Sequence, residues 1–205
     1  MKRPEIIVGL EIGTSKVCAS VGEILGGAPT RILGVGQVPV RGVRKGEIVD
    51  VATASQCIRD AIADAEEKSD VTIKSVVLGI SGGHLQGFNT HGEVEIKEDG
   101  EVDEADCQNV ENQAREVMIP AQNTLLNVIH QEYEINGQRG VLNPIGMRSE
   151  KLRGNFHLIH GIANRMMTGV RCVKAMGLEV DEVVFNGLAS ALAVLTPQDK
   201  NAVPS

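Results

Sequence analysis

The sequence predicts an α/β fold into which a small α+β module is inserted. Three observations lead to this prediction: two apolar strands form a hairpin near the start, strands then alternate with a helix as far as Gly82-Gly83, and the element order changes there and reverts near Ile162. The predicted segments are residues 1–83 for the first part of one domain, 84–162 for the insertion and 163–205 for the return.

The first hairpin is the most informative element. Its turn places Gly13, Thr14 and Ser15 between two apolar runs, so that unhindered backbone N–H groups and two hydroxyls can wrap a phosphate. Glu11, at the end of the first strand, can reach a phosphate-bound Mg²⁺ directly or through water, and Lys16 can add positive charge. The alternative is a plain hairpin in which Gly13 serves only the turn and Glu11 is solvated.

Hydrophobic periodicity predicts the other elements of the outer segments. The chain has one Tyr, three Phe and no Trp, so aliphatic side chains must fill a core between helices and a sheet. Asp50 is a candidate N-cap for the first helix, and Pro197 ends the last one. The predicted strands span residues 31–40, 71–80 and 178–185, and the predicted helices span residues 51–67, 166–176 and 188–195.

The inserted module is predicted to contain a strand, a helix and two further strands. Its helix begins after the N-cap Asp103, has Asp106 in its first turn, and continues an apolar stripe through Met118 to Pro120. A connection marked by glycine and proline, residues 136–148, separates the last two strands. The three strands span residues 84–96, 124–135 and 151–162.

Composition and spacing exclude several classes of function. A net charge of −7 opposes general affinity for nucleic acid, so nucleic acid is not an expected partner. The apolar run after the N-terminus is too short for a signal peptide, and no stretch approaches the ~18 apolar residues of a membrane span. The four cysteines fit neither a redox pair nor a zinc site, and they are predicted to be small core residues of a reducing compartment.

Two charged clusters allow more than one interpretation. Arg41, Arg44 and Lys45 lie in a glycine-marked loop and can contact a partner or a nucleotide phosphate, although a solvated loop face is the simpler explanation. The acidic residues at the start of the inserted helix can seat a cation, although helix capping explains them more simply.

The hairpin Gly9–Val17 resembles the first phosphate-binding hairpin of the actin-like ATPases, and its sequence is similar to that of the FtsA family of bacterial cell-division proteins. Much of that superfamily has aspartate at the position of Glu11, and the extra methylene here shifts the reach of the carboxylate. Further similar segments, which together with the insertion extend the resemblance over essentially the whole chain, are residues 41–48, 128–133, 143–147, 157–159 and 187–190.

The resemblance implies an actin-like (ribonuclease-H-like) nucleotide-domain half, domain 1A, interrupted by a small domain called 1C at residues 84–162. It also implies an N-terminal fragment, because the family continues with a second phosphate turn and an adenosine pocket. The complete protein is expected to bind ATP and Mg²⁺, whereas this fragment is expected to be inactive and to hold neither tightly. The implied cofactor-binding residues are Glu11, Gly13, Thr14, Ser15 and Lys16, with Glu11 at the metal and no catalytic residue in this chain.

The resemblance further implies a cell-division adaptor with weak or no ATP hydrolysis. Such a protein would self-associate, link FtsZ filaments to the inner face of the cell membrane at the division site, and recruit other division proteins through residues 84–162. The FtsZ-docking region and the membrane-binding amphipathic helix of the family have no counterpart in this chain. Two alternatives are a PilM-like pilus-assembly protein and a sugar-kinase-like phosphotransferase, although sugar kinases do not have this inserted module.

Overall fold

The computed structural model describes residues 4–26, 30–96, 100–196 and 199 of the chain. Contacts divide the chain into two compact units, of which unit 1 comprises Met1–His84 and Ala163–Ser205 and unit 2 comprises Leu85–Ile162. The elements are β1 (Glu5–Ile12), β2 (Lys16–Ile24), β3 (Arg31–Pro39), β4 (Val43–Arg44), β5 (Glu47–Ile48), α1 (Val51–Ser69), β6 (Ser75–Ile80), β7 (Leu85–Glu95), α2 (Glu104–Arg115), β8 (Asn123–Ile135), β9 (Gln138–Val141), β10 (Lys151–Ile162), α3 (Ala163–Lys174), β11 (Glu179–Phe185) and α4 (Asn186–Val194).

Unit 1 is built on a five-stranded sheet with the order β11-β6-β1-β2-β3. β1, β6 and β11 run parallel, whereas β2 pairs antiparallel with β1, and β3 pairs antiparallel with β2. Alternate residues of these strands are buried, as expected when one face of a sheet covers a core. α1 packs against β2 and β3, and α3 contacts α1 and β6.

α1 approaches the sheet closely because small residues meet at their contact. The helix starts at the predicted N-cap: the Asp50 carboxylate accepts hydrogen bonds from the Thr53 N–H at 3.1 Å and from its hydroxyl at 2.6 Å. Gly36 of β3 faces the helix backbone, and a Cβ there would overlap the Ala61 carbonyl oxygen. The glycines of β3 therefore bring the helix close to the sheet.

Unit 2 is a four-stranded sheet, β7-β10-β8-β9, with α2 packed against β7 and β10. The predicted N-cap is confirmed, since Asp103 and Asp106 form a reciprocal capping box with bonds of 2.9 and 3.0 Å. This explains the acidic cluster at the helix start as capping. The core contains Val102, Val110, Ala114, Ile135, Leu152, Phe156 and Leu158, all almost completely buried.

Some bounds shift by a few residues, since β6 begins at Ser75 and His84 falls in unit 1, and beyond these shifts the structure differs from the sequence predictions at three places. The charged loop after β3 folds into the short hairpin β4–β5, and the predicted connection 136–148 contains β9. The second difference arises because Asn136 and Gly137 both adopt the left-handed conformation, with φ of 50° and 78°, which suits a two-residue hairpin turn. The third is α2, which ends at Arg115, so Met118 is fully exposed and does not continue the apolar stripe.

The predicted α/β class with an inserted α+β module is confirmed by these elements. All four cysteines are free thiols; Cys57 and Cys172 are buried, and Cys18 and Cys107 are half-buried. Among the residues that the structure describes, no helix has the length and apolarity to cross a membrane.

Candidate phosphate and metal site

The candidate site lies where the three parallel strands of unit 1 end. β1 is followed by the turn at residues 13–15, β6 by Ser81-Gly82, and β11 by Asn186, the first residue of α4. Ligands of open α/β sheets characteristically bind at the carboxyl ends of parallel strands. α4 also begins at this edge, and the backbone N–H groups of its first turn favour a negative charge nearby.

The turn between β1 and β2 is a closed hairpin with exposed polar groups. The Gly13 N–H donates to the Lys16 carbonyl at 3.0 Å, so this N–H is not available to the predicted phosphate, and the candidate donors of this turn are the amides and hydroxyls of Thr14 and Ser15. Gly13 itself is buried, and Thr14 and Ser15 are exposed. The φ of Gly13 is not in the left-handed region, so the turn conformation does not require glycine. Glycine fits here because a Cβ would lie only 3.0 Å from the Lys16 carbonyl oxygen.

Glu11 is held by a partner that the sequence prediction missed. The Asn186 Nδ2 donates to Glu11 Oε1 at 2.7 Å across 175 positions of sequence. Both side chains are half-buried and line a cavity of about 390 Å³, together with Gly9, Gly79 and Ser190. The one signal in the sequence was Asn186-Gly187 at the end of a predicted parallel strand.

Lys16 lies on the sheet side of the turn. Its Nζ donates to Gln37 Oε1 of the edge strand β3 at 3.1 Å, in an exposed hydrogen bond. In the register of the sheet, Glu11 is opposite Cys18, and Cys18 is opposite Gln37, so these side chains share one face. Lys16 is therefore on the same face as Glu11 but is engaged with β3.

The β4–β5 hairpin, which also belongs to unit 1, contacts the turn at residues 13–15. Its turn residues Lys45 and Gly46 have φ of 52° and 77°, the signs that a type I′ turn requires at both central positions. The Gly46 N–H donates to Thr14 Oγ1 at 2.9 Å. A Cβ on Gly46 would lie 2.6 Å from the Ser81 carbonyl oxygen, so the hairpin tip also touches the end of β6.

Glu47, at the start of β5, anchors this hairpin through an ion pair. The Arg165 guanidinium Nη1 donates to Glu47 Oε1 at 2.6 Å, and the His84 Nδ1 lies 3.6 Å from the same oxygen. The His84 side chain is 3% exposed, and neither ring nitrogen has a hydrogen-bond partner among the described residues. Burial lowers the pKa of His84 below 6.5; Arg165 also lowers it, while Glu47 opposes the shift.

We expect the stability of unit 1 to fall on acidification through the ordinary imidazole pKa. Because the pKa of His84 is lower in the folded chain, the unfolded chain takes up the proton first, and the stability present above about pH 6.5 is lost below it. Urea unfolding at about pH 7.5 and about pH 5.5 measures this loss. His84→Gln should flatten the pH dependence, whereas the exposed control His91→Gln should not; equal slopes in all three proteins would contradict the assignment.

No group of three or more His, Cys, Asp or Glu side chains arranged to hold a metal ion occurs in the described part of the chain. The Glu11 carboxylate is the candidate protein ligand at this edge, and Mg²⁺ commonly binds through one or two carboxylates together with water and substrate phosphates.

Two kinds of comparison with known proteins, by family model and by sequence similarity, both give FtsA. A family model described as the SHS2 domain inserted in FTSA matches residues 82–160. Cell division protein FtsA of Pseudomonas aeruginosa PAO1 is 39% identical over 196 residues, covering 96% of this chain and 47% of that protein. FtsA of Escherichia coli K12 is 40% identical, covering 96% of this chain and 46% of that protein. FtsA of Neisseria meningitidis serogroup B is 38% identical, covering 94% of this chain and 46% of that protein.

A solved structure described as a PilM-PilN type IV pilus biogenesis complex matches with a TM-score of 0.58 and 15% identity, covering 91% of this chain and 49% of that chain. At this identity the likeness shows the fold alone, and it supports the predicted fold class. The chain spans about half the length of the curated relatives it matches. Sequence similarity to FtsA extends along 96% of the chain, and the family model matches the inserted unit, so both comparisons support the predicted resemblance to the FtsA proteins.

Proposed function

We propose that this chain supplies the first phosphate-binding turn and the inserted domain of an ATP-binding, actin-like cell-division adaptor. The observation that supports it most is the arrangement at the carboxyl edge of unit 1, where an exposed Thr14-Ser15 turn lies beside the Glu11–Asn186 pair. The division role is supported by the similarity to proteins named cell division protein FtsA.

The residues present fit Mg²⁺ and the phosphates of ATP. In the proposed complex, the amides and hydroxyls of Thr14 and Ser15 donate to phosphate oxygens, and Gly13 keeps the turn tight, because a Cβ there would lie 3.0 Å from the Lys16 carbonyl oxygen. Although the Thr14 Oγ1 accepts the Gly46 N–H, its own O–H is still available as a donor. Glu11 uses one oxygen for Asn186 and has the other for Mg²⁺ or its water, while Lys16 adds charge nearby.

The proposal extends to partners of the complete gene product. We propose that it self-associates, joins FtsZ filaments to the inner face of the cell membrane at the division site, and binds other division proteins through residues 84–162. Unit 2 is suited to such a role because it is a compact unit with its own buried core. The names of the relatives support the division process only, so each partner needs a direct test.

A PilM-like role in pilus assembly is the second candidate, favoured by the structural likeness to a PilM–PilN complex. The FtsA relatives are 38–40% identical to this chain, compared with 15% for that structure, which makes the division role the stronger proposal. A sugar kinase is less consistent with the chain, because the inserted unit matches a family model described by its insertion in FTSA.

Titration of the complete gene product with MgATP, followed by cosedimentation with FtsZ and with lipid vesicles, tests the proposed function. We expect binding with a dissociation constant on the order of micromolar and ATP-dependent pelleting with both partners. Absence of MgATP binding would contradict the nucleotide assignment. Transfer of phosphate to a small hydroxylated acceptor would instead favour the kinase, and pelleting with a PilN-type partner but not FtsZ would favour the pilus role.

A further inference from the structure

We propose that Lys45, at the tip of the β4–β5 hairpin, is a phosphate-binding residue whose ammonium contacts the terminal phosphates of the nucleotide held at the Gly13-Thr14-Ser15 turn. The inference rests on the proposed function, since it concerns the same site. It assigns to a surface hairpin the positive charge that a triphosphate needs in a chain of net charge −7.

The tip of the hairpin is fixed beside the turn by backbone contacts. The Gly46 N–H donates to Thr14 Oγ1 at 2.9 Å, which places residue 45 one peptide unit from the candidate phosphate site. On its other side, the tip touches the end of β6: a Cβ on Gly82 would lie 3.2 Å from the Lys45 carbonyl oxygen. The backbone of Lys45 is therefore positioned between two strand ends at the ligand-binding edge.

The base of the hairpin is fixed equally well. The N–H groups of Val49 and Asp50 donate to the Gly42 carbonyl at 2.8 and 3.0 Å, which closes the hairpin where it joins α1. Glu47 binds Arg165 of α3 at 2.6 Å. With both ends anchored, the hairpin can present a cation to the site with little loss of backbone freedom on binding.

The charge of Lys45 is available for a ligand. Its side chain is exposed, and no hydrogen bond or ion pair to it occurs among the described residues. Lys16, by contrast, already donates to Gln37 of β3. Arg44 is directly opposite Glu47 in the hairpin register, so its side chain is on the hairpin face that Glu47 uses to bind Arg165.

Turn chemistry alone does not account for lysine at this position. Lys45 has φ of 52°, and the first central position of a type I′ turn favours asparagine, aspartate or glycine. A lysine here is a non-glycine residue in the left-handed region, which is a common feature of ligand-binding segments. Asparagine would suit the turn better and would lack the charge.

Titration of the complete gene product with MgATP and with AMP tests the inference. Lys45→Asn preserves the turn and removes the charge, and we expect MgATP affinity to fall by roughly 10- to 100-fold, because a charge-assisted contact is lost. Lys45→Arg should bind within about threefold of wild type, since it retains the charge. The matched control Arg44→Ala removes a neighbouring exposed cation and should also bind within about threefold; AMP affinity should be unchanged in all variants, because AMP lacks the terminal phosphates.

Affinity of Lys45→Asn within about twofold of wild type would overturn the inference, and so would equal losses in Lys45→Asn and Arg44→Ala, which would indicate a general charge effect. MgATP binding by wild type and by Gly13→Val distinguishes failure of this inference from failure of the proposed function. If wild type binds MgATP, Gly13→Val does not, and Lys45→Asn binds normally, only the role of Lys45 is wrong. If wild type itself does not bind, the proposed function fails and the inference fails with it.

Discussion

Replacing Gly13 with valine is expected to abolish measurable MgATP binding by the complete gene product. A Cβ at this position would lie 3.0 Å from the Lys16 carbonyl oxygen and 3.4 Å from Glu11 Oε1, so valine would distort the turn and crowd the Glu11 carboxylate. Several charge-assisted hydrogen bonds at ~1.5–3 kcal/mol each would be lost, so affinity should fall by at least about 100-fold. Isothermal titration measures the change.

Gly169→Ala is the control for this experiment. It adds a methyl group in α3, away from the cavity, where the nearest atoms are side-chain carbons at 3.5 Å and 3.8 Å, so it should bind MgATP like wild type. Thermal melts of both variants establish that they are folded. Unchanged affinity in a folded Gly13→Val protein would show that the turn does not contact the nucleotide.

The largest effect on stability is expected for Gly36→Ala. The new Cβ would overlap the Ala61 carbonyl oxygen and crowd the Ala65 N–H, and both belong to the backbone of α1, which cannot move aside as a flexible side chain can. The helix must shift away from β3, which opens the core of unit 1. We expect a loss of roughly 2–3 kcal/mol in the free energy of unfolding, the upper part of the usual range for overpacking, measured in urea.

Gly83→Ala serves as the control for this prediction, because no atom lies within 4 Å of a Cβ at that position. It should change the free energy of unfolding by less than about 0.5 kcal/mol. Gly92→Ala is the counterpart in unit 2, where the Cβ would overlap the Val110 carbonyl oxygen of α2. Equal stability of the Gly36→Ala and Gly83→Ala proteins would mean that α1 does not pack on β3 as described.

Local patterns were sufficient to predict the longer helices and strands of this chain. Asp50 and Asp103 cap the helices that their positions predicted, because an N-cap bonds to backbone groups within three residues. The short hairpin at Lys45-Gly46 and the strand after Asn136-Gly137 were missed because two- and four-residue strands have too little periodicity to detect. The usable signal was the dipeptide at each turn, Lys45-Gly46 and Asn136-Gly137, because both residues of each pair adopt the left-handed conformation of a two-residue hairpin turn.

The candidate site was predicted only as far as it is local in sequence. Glu11 and the turn at residues 13–15 lie within one hairpin, and their spacing could be interpreted directly. The contacts to Asn186 and Gly46 join residues 175 and 32 positions apart, and they exist only because parallel strands and a folded hairpin bring the segments to one edge. Periodicity carries no information about such pairs, although the rule that parallel strands end at a common edge could have suggested Asn186.

A structure of the complete gene product with Mg²⁺ and a non-hydrolysable ATP analogue tests the central claim most directly. The account predicts phosphate oxygens within about 3.2 Å of amides or hydroxyls of Thr14 and Ser15, and Mg²⁺ on the side of Glu11, directly or through one water. A nucleotide bound away from the carboxyl edge of β1, with no contact to residues 13–15, would contradict it.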